Sequence, residues 1–365
     1  MVLLRPRNLW TLLSLLGGVG VFLCATPAFS EDLILSGSSM LYPANRSWAR
    51  GYEREHPGAR LRVLAPGSGA GITGTFEGNV SIGASDIFLT SRELAKKGHI
   101  VLIPVALEGV VPVVNLPGKA RRSTLRLDGA LLARLLSGRI AFWDDPRILR
   151  ENPGLSLPHL RVRPVVRADA SGTSFLLSDY LAHSCRWWRE NVGREPLPEW
   201  PGNPNARAVA GSRAVVAAVR EEEGAIGYVG LGWVERSGLR AVALKNDAGR
   251  YVAASAGSIG DAVAGMGSRI PFPEGYNRSL VGGGTHPGAW PVTGVEFWMV
   301  SPDLPGPTMS EVRRLAVWVL TEGQAPGYTT SRGFVPLWGL PGRRLLIRKL
   351  REVLPGNSFR PTTGG

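Results

Sequence analysis

The sequence contains few of the residues on which disulfide, metal and covalent chemistry depend. Two cysteines occur among its 365 residues, and five histidines are dispersed without the spacing of metal ligands: His56, His99, His159, His183 and His286. A Gly-x-Ser-x-Gly elbow, a Gly-x-x-x-x-Gly-Lys-Ser/Thr loop and a His-Glu-x-x-His pair are all missing. These absences argue against a disulfide scaffold, a zinc enzyme and the common nucleophile-dependent hydrolases.

Low-complexity tracts are missing as well. The chain is 44% hydrophobic and 19% charged, which is typical of a folded protein. Its length is sufficient for a large core and usually corresponds to two domains. The 47 glycines and 28 prolines indicate a loop-rich structure rather than a helical bundle.

Acidic residues are outnumbered by basic ones, 29 to 42, which gives a formal net charge of +13. The arginines are scattered, with short pairs such as Arg121–Arg122 and Arg343–Arg344, and no basic stripe alternates with stacking aromatics. This distribution does not indicate nucleic acid. It indicates a general attraction for anions.

Residues 1–30 have the pattern of a signal peptide. Two arginines precede a mostly apolar run over residues 9–23, and residues 28–30 match a small-x-small cleavage site. An uncleaved anchor and a lipoprotein attached at Cys24 are alternatives, although a leucine precedes that cysteine where lipidation prefers a small residue. We predict export to a bacterial periplasm, which leaves Cys185 as a single, structural cysteine.

Strand-like and helix-like stretches alternate after the leader, which predicts an α/β fold. Residues 100–115 are almost continuously apolar and predict two strands that are buried on both faces. Residues 255–288 are rich in Gly and Ser and give no clear prediction. Helices are predicted at residues 43–55, 128–137, 147–151, 213–222, 309–322 and 342–353.

The stretch Val165–Leu181 combines a strand end, a loop of small residues and the start of a helix. Serine and threonine on either side of Gly172 match a capping signal. The first turn of such a helix has unpaired N–H groups and the positive end of the helix dipole, and Arg167 supplies a planar fork for an oxyanion. The alternative is an ordinary capped helix in which Arg167 pairs with Asp169.

Two further strand-to-helix loops are of the same kind, at residues 38–42 and 67–71. Ligands in open α/β sheets bind beyond the carboxyl ends of the strands, where such loops meet. Several loops are needed, because removing an anion from water costs several kcal/mol, whereas a charge-assisted hydrogen bond returns about 1.5–3 kcal/mol. The three loops together predict an oxyanion pocket.

An ordered set of short motifs runs through the chain between residues 33 and 337. The motifs are Gly37–Pro43, Gly67–Gly71, Gly83–Asp86, Val113–Gly118, Ser137–Asp145, Asn152–Leu155, Arg167–Phe175, Gly224–Tyr228 and Ala289–Val292. In this order they resemble the phosphate-binding proteins of bacterial phosphate-specific ABC transporters, the PstS family. Each motif is weak alone, and the ordered set is specific.

The resemblance implies a two-lobed periplasmic binding protein fold, with mixed sheets flanked by helices and the ligand in the cleft between the lobes. Residues 31–114 and 288–365 would form lobe I and residues 115–287 lobe II, with hinges near 114–118 and 286–290. It implies a monomeric binding protein, not an enzyme, that delivers inorganic phosphate to membrane permease subunits without cofactor, metal or nucleic acid. The ligand contacts that carry over are Leu41, Tyr42, Ser68, Asp86, Arg167, Ser171, Gly172 and Thr173.

Asp86 is the residue expected to select the ligand. An ionised carboxylate accepts a hydrogen bond from hydrogen phosphate and repels sulfate, which has no proton to donate. A helix cap or a partner for Arg167 is the alternative role, and Asp169 is expected to orient Arg167. At Leu41 the chain departs from family members that have threonine, so only backbone N–H groups of Leu41 and Tyr42 are left as donors there.

Other functions stay open at this point. The same fold can bind sulfate, molybdate or an organic phosphate, although Asp86 argues against the first two. It can also serve as a phosphate sensor without transport. An exported hydrolase would use Ser68 or Ser171 as its nucleophile, but no histidine motif lies beside either serine.

Overall fold

The computed structural model describes residues 32–89, 100–118, 124–200, 205–264, 277–337 and 343–354. The predicted signal peptide, with Cys24, lies outside the described residues. The strands within these ranges are β1 (Leu33–Gly37), β2 (Leu61–Leu64), β3 (Ile82–Ser85), β4 (Val101–Val114), β5 (Arg126–Leu127), β6 (Arg163–Arg167), β7 (Arg207–Val209), β8 (Ala225–Gly230), β9 (Arg240–Ala241), β10 (Ala243–Lys245), β11 (Tyr251–Val252) and β12 (Thr293–Val300). The α-helices are α1 (Tyr42–Glu55), α2 (Ser68–Phe76), α3 (Gly129–Leu136), α4 (Pro146–Glu151), α5 (Gly172–Ser184), α6 (Arg186–Asn191), α7 (Gly211–Glu221), α8 (Leu231–Ser237), α9 (Ala256–Ala264), α10 (Gly306–Leu320) and α11 (Arg343–Val353).

The main sheet is mixed, and in the described part of the chain it contains nine strands in the order β2-β1-β3-β12-β4-β8-β6-β7, with β9 added on β4. β1 pairs in parallel with β2 and β3, and β6 pairs in parallel with β7 and β8. β12 is antiparallel to both β3 and β4. A second, small sheet has the order β11-β10-β5. The predicted α/β architecture with mixed sheets flanked by helices is confirmed.

The apolar run at residues 100–115 forms one strand, β4, so the prediction of two strands is wrong. Residues 101–109 pair with β12 and residues 110–114 pair with β8, and both partners are antiparallel. The strand changes partner without a turn and is buried on both faces along most of its length. A strand buried in this way has the same apolar pattern whichever way its neighbours run, so its pattern did not reveal the antiparallel pairing.

β4 connects two halves of the main sheet. The first half contains β1, β2, β3 and β12, and the second half contains β6, β7 and β8. Helices α1 and α2 pack on the first half, and α7 packs on the second. The lobe boundaries at residues 114–115 and 287–288 stay predictions.

Five tryptophans are fully buried in the core. Each indole N–H donates to an oxygen: Trp48 to Gly323 (2.8 Å), Trp143 to Gly224 (2.9 Å), Trp188 to Gly193 (3.0 Å), Trp290 to Val110 (3.1 Å) and Trp298 to the side chain of Asn45 (3.0 Å). These large apolar groups are therefore buried without an unsatisfied donor. Cys185 is buried between α5 and α6, as expected for a structural cysteine. Within the described ranges, no helix combines the length and apolar character needed to cross a bilayer.

Four helices begin just beyond the carboxyl ends of parallel strands. α1 and α2 follow β1 and β2 in the first half, and α5 and α7 follow β6 and β7 in the second half. The N-terminus of each helix exposes N–H groups without intrahelical partners. The fold thus brings four such helix ends towards the junction of the two halves, where the predicted site residues lie.

Candidate anion-binding site

The second half contributes the N-terminus of α5. Ser171 is its N-cap residue, and the Ser171 hydroxyl accepts the backbone N–H of Ser174 at 3.2 Å. The N–H groups of Gly172 and Thr173 have no partner inside the helix, because they belong to its first turn. Together with the positive end of the helix dipole they favour an anion at this position.

Arg167 lies at the end of β6 and is 2% exposed. Its Nε donates to Asp169 Oδ1 at 2.7 Å and its Nη2 donates to Asp169 Oδ2, while its Nη1 donates to Thr173 Oγ1 at 3.4 Å. Burial acts to raise the pKa of Asp169, but hydrogen bonds and the charge of Arg167 hold that pKa below its usual value. Asp169 is therefore an ionised partner that orients the guanidinium group, as the sequence predicts.

The first half contributes Ser68 and Asp86. Ser68 begins α2 and its hydroxyl donates to Asp86 Oδ1 at 2.5 Å. Asp86 follows β3, is 2% exposed and reaches the N-terminus of α5, where a Cβ added to Gly172 would lie 1.5 Å from Asp86 Oδ1. Asp86 Oδ2 has no hydrogen-bond partner among the described residues. The carboxylate is therefore held by one half against the helix end of the other, with one oxygen left to bond a ligand.

The pKa of Asp86 is raised to about 6. Burial is the main cause, and it is opposed by the hydrogen bond from Ser68 and by the charge of Arg167. Asp86 is consequently ionised at neutral pH and becomes neutral in mildly acidic solution. Its chemical role can change within an accessible pH range.

Leu41 and Tyr42 lie at the start of α1 on the opposite side of the site. Leu41 is fully buried in the core, and its backbone N–H donates to Ser38 Oγ at 3.1 Å. The Tyr42 hydroxyl accepts a hydrogen bond of 3.4 Å from Arg46, so this side chain lies on the outer surface. Any contact of these two residues with a ligand in the cleft would therefore have to come from their backbone, and the Leu41 N–H would first have to leave Ser38.

Met40 was not identified from the sequence, although it lies among the predicted site residues. It is 1% exposed, and its sulfur accepts a hydrogen bond of 3.7 Å from Thr173 Oγ1 in the second half. A Cβ added to Gly230 would lie 2.6 Å from Met40 Cγ and 1.9 Å from Glu108 Oε1. Met40 thus fills space between the anion site and a buried carboxyl group.

Glu108 on β4 and Glu296 on β12 are both 0% exposed. They share one face of the sheet, because Glu296 pairs with Ala106, two residues from Glu108. The two carboxyl groups lie close enough to share a hydrogen bond, and none of their four oxygens bonds to any other side chain in the described ranges. Burial raises the pKa of both well above its usual value, and the charge of Asp86 raises it further. Both groups therefore hold their protons more firmly than an exposed glutamate does. A single acidic residue within each apolar strand was the sequence signal that could have identified them.

Further hydrogen bonds connect the two halves around the site. Ser39 Oγ, in the loop before α1, accepts the N–H of Ser212 at 3.2 Å and lies 3.1 Å from the Ser212 hydroxyl. The Ser39 carbonyl accepts the indole N–H of Trp233 at 3.0 Å, and the Gly69 N–H donates to the Ala170 carbonyl at 3.0 Å. These contacts hold the halves together in a closed arrangement.

Comparison with known proteins decides the family. A family model described as the PBP superfamily domain matches residues 25–303. A phosphate-binding protein PstS from Xylella fastidiosa is 35% identical over 299 residues, which cover 79% of this chain and 77% of that protein. The chain belongs to the PstS family. The resemblance inferred from the ordered motifs is confirmed.

Solved structures show the fold of this PstS-family chain. A high-affinity periplasmic phosphate-binding protein bound with phosphate matches it with a TM-score of 0.65 at 18% identity, over 88% of this chain and 93% of the other. A putative phosphate ABC transporter substrate-binding protein from Clostridium perfringens, with bound phosphate, gives 0.59 at 18% identity, over 84% and 99%. The predicted periplasmic binding protein fold is therefore confirmed.

In this PstS-family chain, six of the eight predicted site residues lie in one cluster between the halves: Ser68, Asp86, Arg167, Ser171, Gly172 and Thr173. The remaining two, Leu41 and Tyr42, flank it at the start of α1. The cluster offers hydroxyl, guanidinium and backbone donors together with one carboxylate acceptor. Such a set can hold an oxyanion that carries a proton.

Proposed function

We propose that this chain binds inorganic phosphate between its two halves, outside the cytoplasmic membrane, and delivers it to the permease of an ABC transporter. The observation that carries the proposal is the approach of Asp86, from the first half, to the N-terminus of α5 in the second. An acceptor and several donors are thereby directed at one buried point. The names of the PstS relatives support phosphate as the ligand.

The donors are numerous enough to replace water around a small oxyanion. Arg167 provides a charged donor, the first turn of α5 provides two N–H groups, and the Ser171 hydroxyl, which only accepts in the helix cap, still has its proton to donate. The hydroxyl groups of Ser68 and Thr173 donate to Asp86 and to the Met40 sulfur in this structure and would have to turn to bond the ligand. Each bond to a charged group returns about 1.5–3 kcal/mol, against a desolvation cost of several kcal/mol for the ion. The balance favours binding only when most of these donors are engaged together.

Asp86 makes the site selective for an anion with a proton. At neutral pH its carboxylate is ionised, because its pKa is about 6. Hydrogen phosphate can donate a hydrogen bond to Asp86 Oδ2. Sulfate has no proton and cannot form this bond. Repulsion between two unpaired anions inside a buried site then excludes sulfate.

Transport would follow from closure of the halves on the ligand. Contacts such as Ser39–Ser212 form between the halves in the closed state and would be absent in an open one. Hinges near residues 114–118 and 286–290, at the ends of lobes 31–114 plus 288–365 and 115–287, are part of this proposal. The monomeric state and the permease partner also belong to it, as does export directed by residues 1–30.

A binding role accounts for the serines better than hydrolysis does. Ser68 donates to Asp86 and Ser171 caps α5. The four histidines that the structure describes bond to other groups: His56 to Tyr52, His159 to Asp144, His183 to Asp247 and His286 to the N–H of Gly288. Neither serine therefore has a general base among the described histidines.

Calorimetric titration of the ligand-stripped protein with phosphate and then sulfate tests the proposal. We expect tight phosphate binding at neutral pH that excess sulfate does not affect. The Asp86→Asn variant, whose amide can donate, should accept both anions, while Asp303→Asn at an exposed position serves as the control. Absence of phosphate binding at every pH tested would overturn the proposal, and equal competition by sulfate in the wild type would refute the role of Asp86.

A further inference from the structure

A second concentration of positive charge lies outside the cleft. A groove of about 660 Å³ runs between α1 of the first half and α7–α8 of the second. α1 contributes Arg46, Arg50 and Arg54, and α7–α8 contribute Arg213, Arg220 and Arg236; Arg332 completes the set. We call this region the arginine groove. Among the residues that the structure describes, no acidic side chain lines it.

None of these seven arginines forms an ion pair within the described part of the chain. Elsewhere on the surface, Arg147 and Arg186 each pair with a carboxylate at 2.7 Å. Five of the groove arginines bond to neutral groups instead, as Arg54 does to the Tyr328 hydroxyl at 3.1 Å. The groove therefore combines many cations with no carboxylate in its described lining.

This arrangement is unfavourable while the groove is empty of anions. Arg46, Arg50 and Arg54 follow at i, i+4 spacing on one face of α1, where like charges destabilise a helix. Burial lowers the pKa of Arg236, and the charge of Arg332 adds to this shift, while nearby carboxyl groups, Glu235 among them, oppose it. An anion bound between α1 and α8 would relieve the repulsion.

The density of charge defines the chemical class of the occupant. Arg46 and Arg54 are eight residues apart on α1, a distance of about 12 Å along the helix. An extended acidic peptide has about 3.3–3.6 Å per residue and presents roughly four carboxylates over that length. A phosphoryl ester carries up to about two charges and three acceptor oxygens at one position, so three or four phosphoryl groups match seven guanidinium forks in number and in geometry.

The shape of the region excludes larger anionic surfaces. Its volume lies within the range of small-molecule sites, about 300–1,000 Å³, and is too small for a nucleic acid duplex. A flat lipid headgroup layer cannot reach a concave floor. We propose that the arginine groove is a second binding site, separate from the cleft, for a small, multiply phosphorylated anion. This proposal does not depend on phosphate being the ligand of the cleft.

Tripolyphosphate is the probe that tests this site. The full-length protein is first saturated with inorganic phosphate, so that the cleft is occupied, and is then titrated calorimetrically at low ionic strength without divalent cations. We expect one further equivalent to bind, with an affinity that falls steeply as salt is added. The indole of Trp233, which lines the groove, gives an independent fluorescence signal.

Arg50→Gln combined with Arg213→Gln removes one cation from each wall of the groove. Loss of two charge-assisted contacts should lower the tripolyphosphate affinity at least about a hundredfold. The control combines Arg62→Gln with Arg150→Gln, two exposed arginines outside the groove, and lowers the net charge equally. Both variants should bind phosphate in the cleft as the wild type does.

Three results would overturn the proposal. They are absence of a second binding event, an equal loss of affinity in the control variant, and binding of hexaglutamate as tight as that of tripolyphosphate. The last result would identify an acidic peptide segment as the occupant. Failure of phosphate to bind in the cleft would contradict the proposed function and would leave the result for the groove unchanged.

Discussion

The cleft and the arginine groove hold positive charge in opposite ways. In the cleft, Arg167 is buried and neutralised by Asp169, and three further carboxyl groups lie nearby, on Asp86, Glu108 and Glu296. In the groove, seven arginines face one space, and its described lining contains no acid. A buried site can distinguish ligands by single hydrogen bonds, because each unmet group there is costly. An exposed site of concentrated charge responds to the number of charges on the ligand and is screened by salt.

Gly172→Ala should produce the largest effect, and its origin lies in the cleft. The added Cβ would lie 1.5 Å from Asp86 Oδ1, so the carboxylate must leave its place or the halves must separate. We expect the phosphate affinity to fall at least about a thousandfold, or ~4 kcal/mol, and tripolyphosphate binding distinguishes the two cases, because the groove has one wall in each half and is lost if the halves separate. Calorimetry measures both, and Gly260→Ala, whose Cβ meets nothing within 4 Å, is the control. Unchanged phosphate affinity would show that the halves do not close as described.

The second prediction concerns the buried acids beneath the cleft, Glu108 and Glu296. The folded protein binds their protons more tightly than the unfolded chain does, because burial raises both pKa values. Their contribution to stability is therefore complete below the unfolded pKa near 4.5 and decreases as the pH rises, by about 1.4 kcal/mol per pH unit for each proton retained.

The variant Glu108→Gln with Glu296→Gln has no such protons to lose. We expect it to be more stable than the wild type at pH 8, by about 2 kcal/mol or more, and the difference to vanish towards pH 4. Denaturant unfolding at both pH values measures this change. Glu199→Gln with Glu223→Gln, at exposed positions, should show no such difference. A double variant that is less stable at pH 8 would mean that the carboxyls are ionised and paired.

The third prediction uses the titration of Asp86 to make the cleft less selective. Its pKa is about 6, so the carboxyl becomes a neutral donor as the pH falls below that value. Sulfate affinity should then rise on the order of tenfold between pH 7.5 and pH 5.5. Competition calorimetry measures it, and in Asp86→Asn the sulfate affinity should be independent of pH. Sulfate rejection that persists at pH 5 would rule out Asp86 as the selecting group.

Ser39→Ala should have the smallest effect. Ser39 contacts Ser212 and Trp233 across the halves and makes no contact with the predicted phosphate donors. Loss of a net contribution of about 1 kcal/mol to closure should weaken phosphate binding about fivefold. Ser331→Ala removes an exposed hydroxyl that bonds only to the Gly327 carbonyl and should leave the affinity unchanged. Equal phosphate affinities of Ser39→Ala and Ser331→Ala would show that the Ser39 contacts do not contribute to closure of the halves.

Helices whose first residues are determined by neighbouring residues in the sequence were predicted well. α1 begins at a proline-containing first turn, and α5 begins at a serine N-cap, so both starts could be read from neighbouring residues. α6 and α8, of six and seven residues, were not predicted, whereas the equally short α4 was. α4 begins at an aspartate N-cap followed by proline, and neither α6 nor α8 has a side-chain cap to mark its start. β4 was predicted as two strands, since its change of partner depends on β8 and β12, which lie far away in the sequence.

The candidate site likewise contains some features that the local sequence predicts and others that depend on tertiary contacts. The loops that contain Ser68, Asp86 and Gly172 could be recognised individually, and the family motifs indicated that they meet. The buried acids Glu108 and Glu296 were missed, because each occurs singly in an apolar strand and their proximity depends on register. The arginines were treated as scattered along the sequence, whereas seven of them line one groove in the fold.

The sequence by itself determined the family, the α/β fold class and the loops that present donors to an anion. These properties depend on residues within one turn, one strand or one short motif. The tertiary structure alone decided that Asp86 lies against Gly172, that two buried acids lie beneath the cleft, and that Arg50 faces the same groove as Arg213. Such properties depend on which elements become neighbours and at what register, and that is set by packing of the whole chain rather than by any local pattern.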